Sequence, residues 1–307
     1  MLTVVIASMC NEPRFEQLRR ACDSVRDMAR GHDYRIIVVA NGSQVSDDVM
    51  RWLESRADVE SVRLRSGSQS LARRMGAELA DSEFLAFLDD DDELLPDTFA
   101  AKLAYFREHP DVDVLVTDGL WVDGATVKPI FPPGGQLPAD TVDAVMSLPW
   151  GACSLTLRTK AIDLSVVDPQ FKYFEWTLTA LLLARKYRFG FLQTPTYRYY
   201  ADTPNSLSKH AEFATAAPDL WSRLLEAYTS TPYVERIRRR HQLECHYVAW
   251  QFGKRGMFAK AWSYHMRCLG SFDGVRYLPF TLKLLAYPVW NLFHRNEAHA
   301  PAVSPSL

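Results

Sequence analysis

Five consecutive acids, Asp89-Asp90-Asp91-Asp92-Glu93, stand directly behind the apolar run Phe84-Leu85-Ala86-Phe87-Leu88. The run is short and lies between Asp81-Ser82 and Leu94-Leu95-Pro96, the pattern of a buried strand rather than a helix. The acids then fall at the strand's C-terminal end, where open α/β sheets place their ligand crevice. Two like charges ~4 Å apart repel by about 1 kcal/mol in water and about 4 kcal/mol near a protein surface. Such a cluster must either splay into solvent, as a turn before a helix capped by Asp97, or share a cation. Oxygen ligands suit Mg²⁺ or Mn²⁺, which one or two carboxylates commonly hold together with substrate phosphates.

The stretches on either side alternate in period. Val4-Val5-Ile6 is a first strand, and Phe15, Leu18, Ala21, Cys22 and Val25 recur at helical spacing after it. Arg35–Val39 forms a second strand closed by the turn signal Asn41-Gly42-Ser43, followed by a helix over Asp47–Arg56 and a third strand, Val59–Leu64. The loop Ser66–Gln69 leads into a helix from Ser70 to Ala80, and the acidic strand is fourth. This order predicts an α/β domain with a mainly parallel sheet. A helix (Thr98–Glu108) and a strand (Val112–Thr117) follow, then an irregular segment from Val122 to Pro138 rich in Gly and Pro.

With 307 residues, 48% of them hydrophobic, the chain can bury one large core or two. The formal charge of -2 is unevenly spread: Ala216 to Arg295 holds twelve Lys/Arg against five Asp/Glu, a balance of +7, so the remainder carries −9. No nucleic-acid-binding signature accompanies the basic part. The five cysteines lack a CxxC pair and read as buried thiols of a reducing compartment. No basic leader precedes the first strand, and no apolar stretch reaches the ~20 residues that span a bilayer. A cytoplasmic location, free or peripheral on the cytoplasmic membrane face, is the expectation.

Taken in order, four elements carry a family resemblance: Ala7-Ser8-Met9, Val38-Val39-Ala40-Asn41-Gly42-Ser43, Ala72-Arg73-Arg74-Met75-Gly76 and Phe87-Leu88-Asp89-Asp90-Asp91-Asp92. Over roughly a hundred residues they resemble the nucleotide-sugar domain of family 2 glycosyltransferases, which have the GT-A fold. The resemblance implies a D-x-D element at Asp89 and Asp91 that holds Mn²⁺ or Mg²⁺ against a donor diphosphate. It also implies donor contacts at Ala7, Ser8, Asn41, Arg73, Asp90 and Asp92. Two departures stand out: Ala40 and Asn41 replace the family's paired acids, and Ala7-Ser8-Met9 replaces its Pro-Thr-Tyr. Asn41 is either a pyrimidine contact through its amide or a simple turn residue.

A second constellation, Tyr173-Phe174-Glu175-Trp176, opens an apolar helix. In the resembling family an E-D-W element stands here, which puts Glu175 on the catalytic Asp position. A helix N-terminus stabilises a carboxylate, while flanking aromatics desolvate it and raise its pKa, as a base for a hydroxyl proton needs. The alternative is a capping Glu without chemistry. Tyr200 and Asp202 occupy the family's Arg and His positions near Ser206-Leu207-Ser208, leaving Arg198 or Lys209 as substitutes for a diphosphate contact. Trp150-Gly151 is either a shelf for a sugar face or core.

The expected organisation is a GT-A domain over 1–215, a basic helical region over 216–295 and a disordered tail over 296–307. The helical region holds an antiparallel pair broken at Gly256. The stretch 276–295 either lies in a membrane interface or packs on the catalytic domain or a second subunit, as in a homodimer. The expected activity is metal-dependent, inverting transfer from a uridine or thymidine diphosphate sugar to a saccharide or lipid-linked saccharide. The alternatives are a degenerate nucleotide-binding scaffold and a sugar nucleotidyltransferase, though Met9–Arg14 lacks the glycine that the latter's loop uses.

Overall fold

The computed structural model of the chain describes residues 1–293 except Ser66, 132–136, Trp150, 168–170, Asn205, 207–208, 210–211 and Ser271. The expected tail, Arg295, Trp150, Leu207-Ser208, Ser66 and the middle of the Gly/Pro-rich segment lie outside the described residues. The first four apolar runs form strands β1 (Leu2–Ser8), β2 (Tyr34–Asn41), β3 (Val59–Leu64) and β4 (Phe84–Asp89). Helices α1 (Phe15–Ala29), α2 (Asp47–Glu54) and α3 (Gln69–Glu78) alternate with them. Every residue of β1 is buried, as is required of a strand covered on both faces.

The order β3-β2-β1-β4 is parallel throughout. The chain winds outward from β1 to β3 and then returns to β1's other side, so the sheet reverses its winding between β1 and β4. Such a reversal opens a crevice at the carboxyl ends of the strands. The register sets Ala7 beside Asp89, which brings the acidic run to that crevice.

Beyond β4 come β5 (Glu93–Leu94), α4 (Thr98–Glu108), β6 (Val114–Asp123), β7 (Thr126–Pro129), α5 (Thr141–Ser147), β8 (Leu155–Arg158), α6 (Glu175–Ala184) and β9 (Phe189–Tyr200). Here the sheet is mixed. β8 runs antiparallel to β4 and β6, β5 runs antiparallel to β9, and β9 runs parallel to β6. Antiparallel partners need no crossover helix, so the spacing of apolar runs does not announce them. The expected irregular segment after Val122 begins as a hairpin: β7 pairs with β6 across a turn at Gly124, where φ is 55°. Asp97 stands at the N-cap position of α4 but does not cap the helix through its side chain, as the solvated-turn alternative had it. It precedes α4 with φ at 63° and no side-chain capping bond, while the Thr98 hydroxyl donates to the carbonyls of Leu95 and Thr196.

By its internal contacts the chain divides into Met1–Pro204 and Asn205–Ser306. The second unit is helical: α7 (Phe213–Tyr228), α8 (Val234–Lys254), α9 (Phe258–Cys268) and α10 (Leu278–Phe293). Val248, Ala249, Phe252, Ala261, Phe280 and Leu284 form a core there. The expected pair is α8 and α9, reversed at Gly256 with φ at 72°. All five cysteines are buried free thiols.

Candidate active site

The glycine of Ala72-Arg73-Arg74-Met75-Gly76 sets how closely α3 lies on the sheet. A Cβ at Gly76 would meet Val5 Cγ1 at 2.4 Å and Val39 Cγ2 at 3.2 Å. Only glycine permits that approach. Nearly one turn earlier on the same helix, Arg73 is carried to the crevice end of β4.

Arg73 is the hub of the site. Its side chain is 4% exposed. One guanidinium nitrogen donates to Asp89 at 2.5 Å, and the other donates to Glu175, 102 residues away. The Trp176 ring lies 5.1 Å from the guanidinium and 4.7 Å from Phe87, so the pair rests on an aromatic floor. Glu175 is the first residue of α6, where the helix dipole favours a negative charge. The Ser70 hydroxyl, on α3, donates to the Phe171 carbonyl at 2.7 Å and ties the segment ahead of α6 to the helix bearing Arg73. Burial raises the Glu175 carboxyl above the usual range, against the opposing pull of Arg73. A raised carboxyl holds a proton more readily than a free one does, which is the direction a general base needs.

The other acids each have their own partner. Asp90 is buried; it accepts from the Ser8 hydroxyl at 2.6 Å and from Arg14 at 2.5 Å. Asp92 also points inward and accepts from the Tyr200 N–H at 3.1 Å and the Cys153 thiol at 3.3 Å. Glu93 accepts from the Tyr200 hydroxyl at 2.6 Å and from Arg198 at 2.8 Å, so Arg198 is already engaged. Asp202 accepts from the Gly124 N–H at 3.3 Å. The Asn41 amide donates to the Ser8 carbonyl at 3.0 Å, and Ala7 is buried in β1 with only its backbone at the strand end.

Arg14 and Arg20 escaped the sequence reading. Arg14 precedes α1 and Arg20 lies within it; Arg20 donates to the Asp91 carbonyl at 2.6 Å and stacks over Tyr200 at 4.2 Å. Arginines after a first strand are common, and only the fold aims these two at the acids. Cys153 and the buried Lys102 of α4 carry no sequence signal either.

Among the described residues no three His, Cys, Asp or Glu side chains converge as a metal-holding group. A Mg²⁺ or Mn²⁺ site of the D-x-D kind asks for less, because phosphate oxygens complete the shell. Burial, then the charges of Asp89 and Asp90, push the Asp91 carboxyl up to about 6, against the opposing charge of Arg14 at 3.5 Å. Arg14 is shared between Asp90 and Asp91, and the oxygen donors of Asp89 and Asp91 are of the hard type that suits a divalent ion.

Comparison with known proteins agrees with this architecture. A model of the family described as Glycosyl transferase family 2 matches residues 4–164, more than half of the chain. Poly(ribitol-phosphate) beta-N-acetylglucosaminyltransferase TarP of Staphylococcus aureus (strain N315) is 24% identical over 253 residues, 76% of this chain and 74% of TarP. The crystal structure of S. aureus TarS 1-349 in complex with UDP-GlcNAc matches with a TM-score of 0.61 at 13% identity, covering 87% of this chain and 81% of that one. A second TarS 1-349 crystal structure matches at a TM-score of 0.58 and 15% identity, covering 84% and 74%. At those identities the structural likeness speaks for the fold, and the family match speaks for the chemistry. The chain belongs to the family 2 glycosyltransferases and is a glycosyltransferase with the GT-A fold.

Proposed function

We propose that the enzyme moves a sugar from a uridine or thymidine diphosphate donor to a hydroxyl of a saccharide, free or lipid-linked, with inversion at the anomeric carbon. The observation that carries this reading is the double contact of Arg73 with Asp89 and Glu175. It joins the end of β4, where a donor diphosphate belongs, to a buried carboxylate suited to proton abstraction. The TarS crystal structures with UDP-GlcNAc and with UDP favour a uridine donor, and TarP by its name acts on a poly(ribitol phosphate).

In this reading Ala7, Ser8 and Asn41, at the ends of β1 and β2, face the nucleobase side. Asp89 and Asp91 would hold Mn²⁺ or Mg²⁺, which would offset charge on the diphosphate. Asp90 holds Ser8 and Arg14 in place, and Asp92 secures β9 and the turn bearing Cys153. Glu175 takes the proton of the acceptor hydroxyl. The acceptor oxygen bonds to the anomeric carbon as that carbon's bond to the diphosphate oxygen breaks, and the electron pair leaves with the diphosphate. Attack from the face opposite the leaving group inverts the centre. Arg73 keeps Glu175 oriented.

The test is turnover of a panel of uridine and thymidine diphosphate sugars with Mn²⁺ or with chelator. Glu175→Gln should lower turnover by about 10²–10⁴-fold while nucleotide affinity is retained. Asp91→Ala should abolish the part of nucleotide-induced thermal stabilisation that depends on Mn²⁺. Wild-type turnover by Glu175→Gln would exclude it as the base.

A further inference from the structure

Within the helical unit, α10 has one buried face and one bare one. Phe280 and Leu284 belong to the core of the unit, and Thr281 bonds His265 through its hydroxyl at 2.8 Å. On the opposite side Leu278, Leu282 and Leu285 are 48%, 71% and 61% exposed. Positions i, i+4 and i+7 form one stripe along a helix. A 3-10 turn, Phe272–Tyr277, runs directly into α10 and adds exposed Val275 beside Arg276. Lys283 is exposed within the stripe's span.

The charges of the unit show what chemistry covers this stripe. From Ala216 onward the described acids Asp219, Glu226, Glu235, Glu244 and Asp273 are each paired with an arginine: Arg267, Arg223, Arg238, Arg240 and Arg239. Arg276 and Lys283, like Lys254, Arg255 and Lys260, have no carboxylate within ion-pair distance among the described residues. Arg276 and Lys283, which adjoin the bare apolar face in the chain, therefore make no direct ion pair among the described residues. A twofold contact with a second copy would set that charge against itself, because such an interface is self-complementary. An anionic lipid surface matches both features, apolar below and negative above. The helix has 16 residues, about 24 Å, short of the ~30 Å hydrocarbon core. No described helix is long and apolar enough to cross a membrane.

We propose that α10 is a membrane-docking helix that lies in the headgroup region of an anionic bilayer, with Leu278, Leu282 and Leu285 inserted and Arg276 and Lys283 on the phosphates. This proposal stands apart from the sugar-transfer reading. The test is co-flotation of the full-length chain with phosphatidylcholine vesicles made with and without phosphatidylglycerol. Binding should be at least about tenfold stronger to the anionic vesicles and should fall with added salt. Leu282→Glu/Leu285→Glu should abolish it, and Arg276→Glu/Lys283→Glu should weaken it by at least about fivefold per charge. Melting curves establish that the variants are folded; if the leucine variant fails to fold, the charge variant decides. Equal binding to neutral vesicles, no binding to either, or undiminished binding by the charge variant would overturn the proposal. So would a wild-type oligomer, seen by light scattering, that the leucine variant splits into monomers without any vesicle binding.

Discussion

In the α/β unit, Arg73 is 4% exposed and reaches acids 16 and 102 positions away. In the helical unit, Arg223 and Arg238 reach acids three positions away on the same helix, and those pairs are largely in solvent. Both kinds of contact are ion pairs, yet they differ in consequence. A pair between neighbours on one helix face forms wherever the helix forms and is screened by water. A buried guanidinium between two carboxylates requires several elements to be in place first, and losing it strands charges that water cannot reach. Buried, long-range pairs therefore mark where the fold holds groups at an energetic cost, and here that place is the crevice.

Three substitutions sharpen the contrast. Arg73→Met should have the largest effect on stability, about 3–5 kcal/mol in urea unfolding, because Asp89 and Glu175 lose their shared counter-charge together. If the loss is no larger than for an exposed pair, Arg73 is not the hub described here. Lys102 gives the next largest effect and the opposite sign. It is buried in α4 with no carboxylate at ion-pair distance among the described residues, and burial pushes its ammonium down to about 8 from 10.5. Between those values the unfolded chain binds the proton that the folded chain has lost, so the contribution of Lys102 to stability improves as pH rises. Lys102→Met should therefore be more stable than wild type by about 3 kcal/mol at neutral pH, with the gap closing on passing from about pH 8 to 10.5. Unfolding midpoints across that range decide it; a gap that stays constant with pH would mean that Lys102 does not titrate as its burial requires. Smallest of the three, Arg223→Ala should shift unfolding by no more than about 0.5 kcal/mol, and added salt should erase the shift.

The parallel half of the sheet was legible because its strands are continuous apolar runs and its helices carry one apolar face. Val59–Leu64 and Thr98–Glu108 begin and end where the periodicity put them. The mixed half was less legible. β5 has two residues, and β7 is exposed along its whole length, so neither has an apolar pattern to read. At the site, Asp89, Asp91, Arg73 and Glu175 could be picked out because each lies in a short motif that carries the family resemblance: the acids at and just after the end of β4, Arg73 within α3 and Glu175 at the start of α6. Arg14, Arg20, Cys153 and Lys102 could not, since nothing adjacent in the chain sets them apart.

Local periodicity, turn residues and the run of acids were enough to dictate the parallel strands, the helices between them and the location of negative charge, because each depends on neighbours within a few positions. Which base meets which acid was decided only by tertiary structure. The reversal of winding between β1 and β4, the close seating of α3 at Gly76 and the tie from Ser70 to Phe171 together bring Glu175 to Arg73. A contact across 102 residues depends on the register of every element between its ends, and no short stretch of sequence encodes that register.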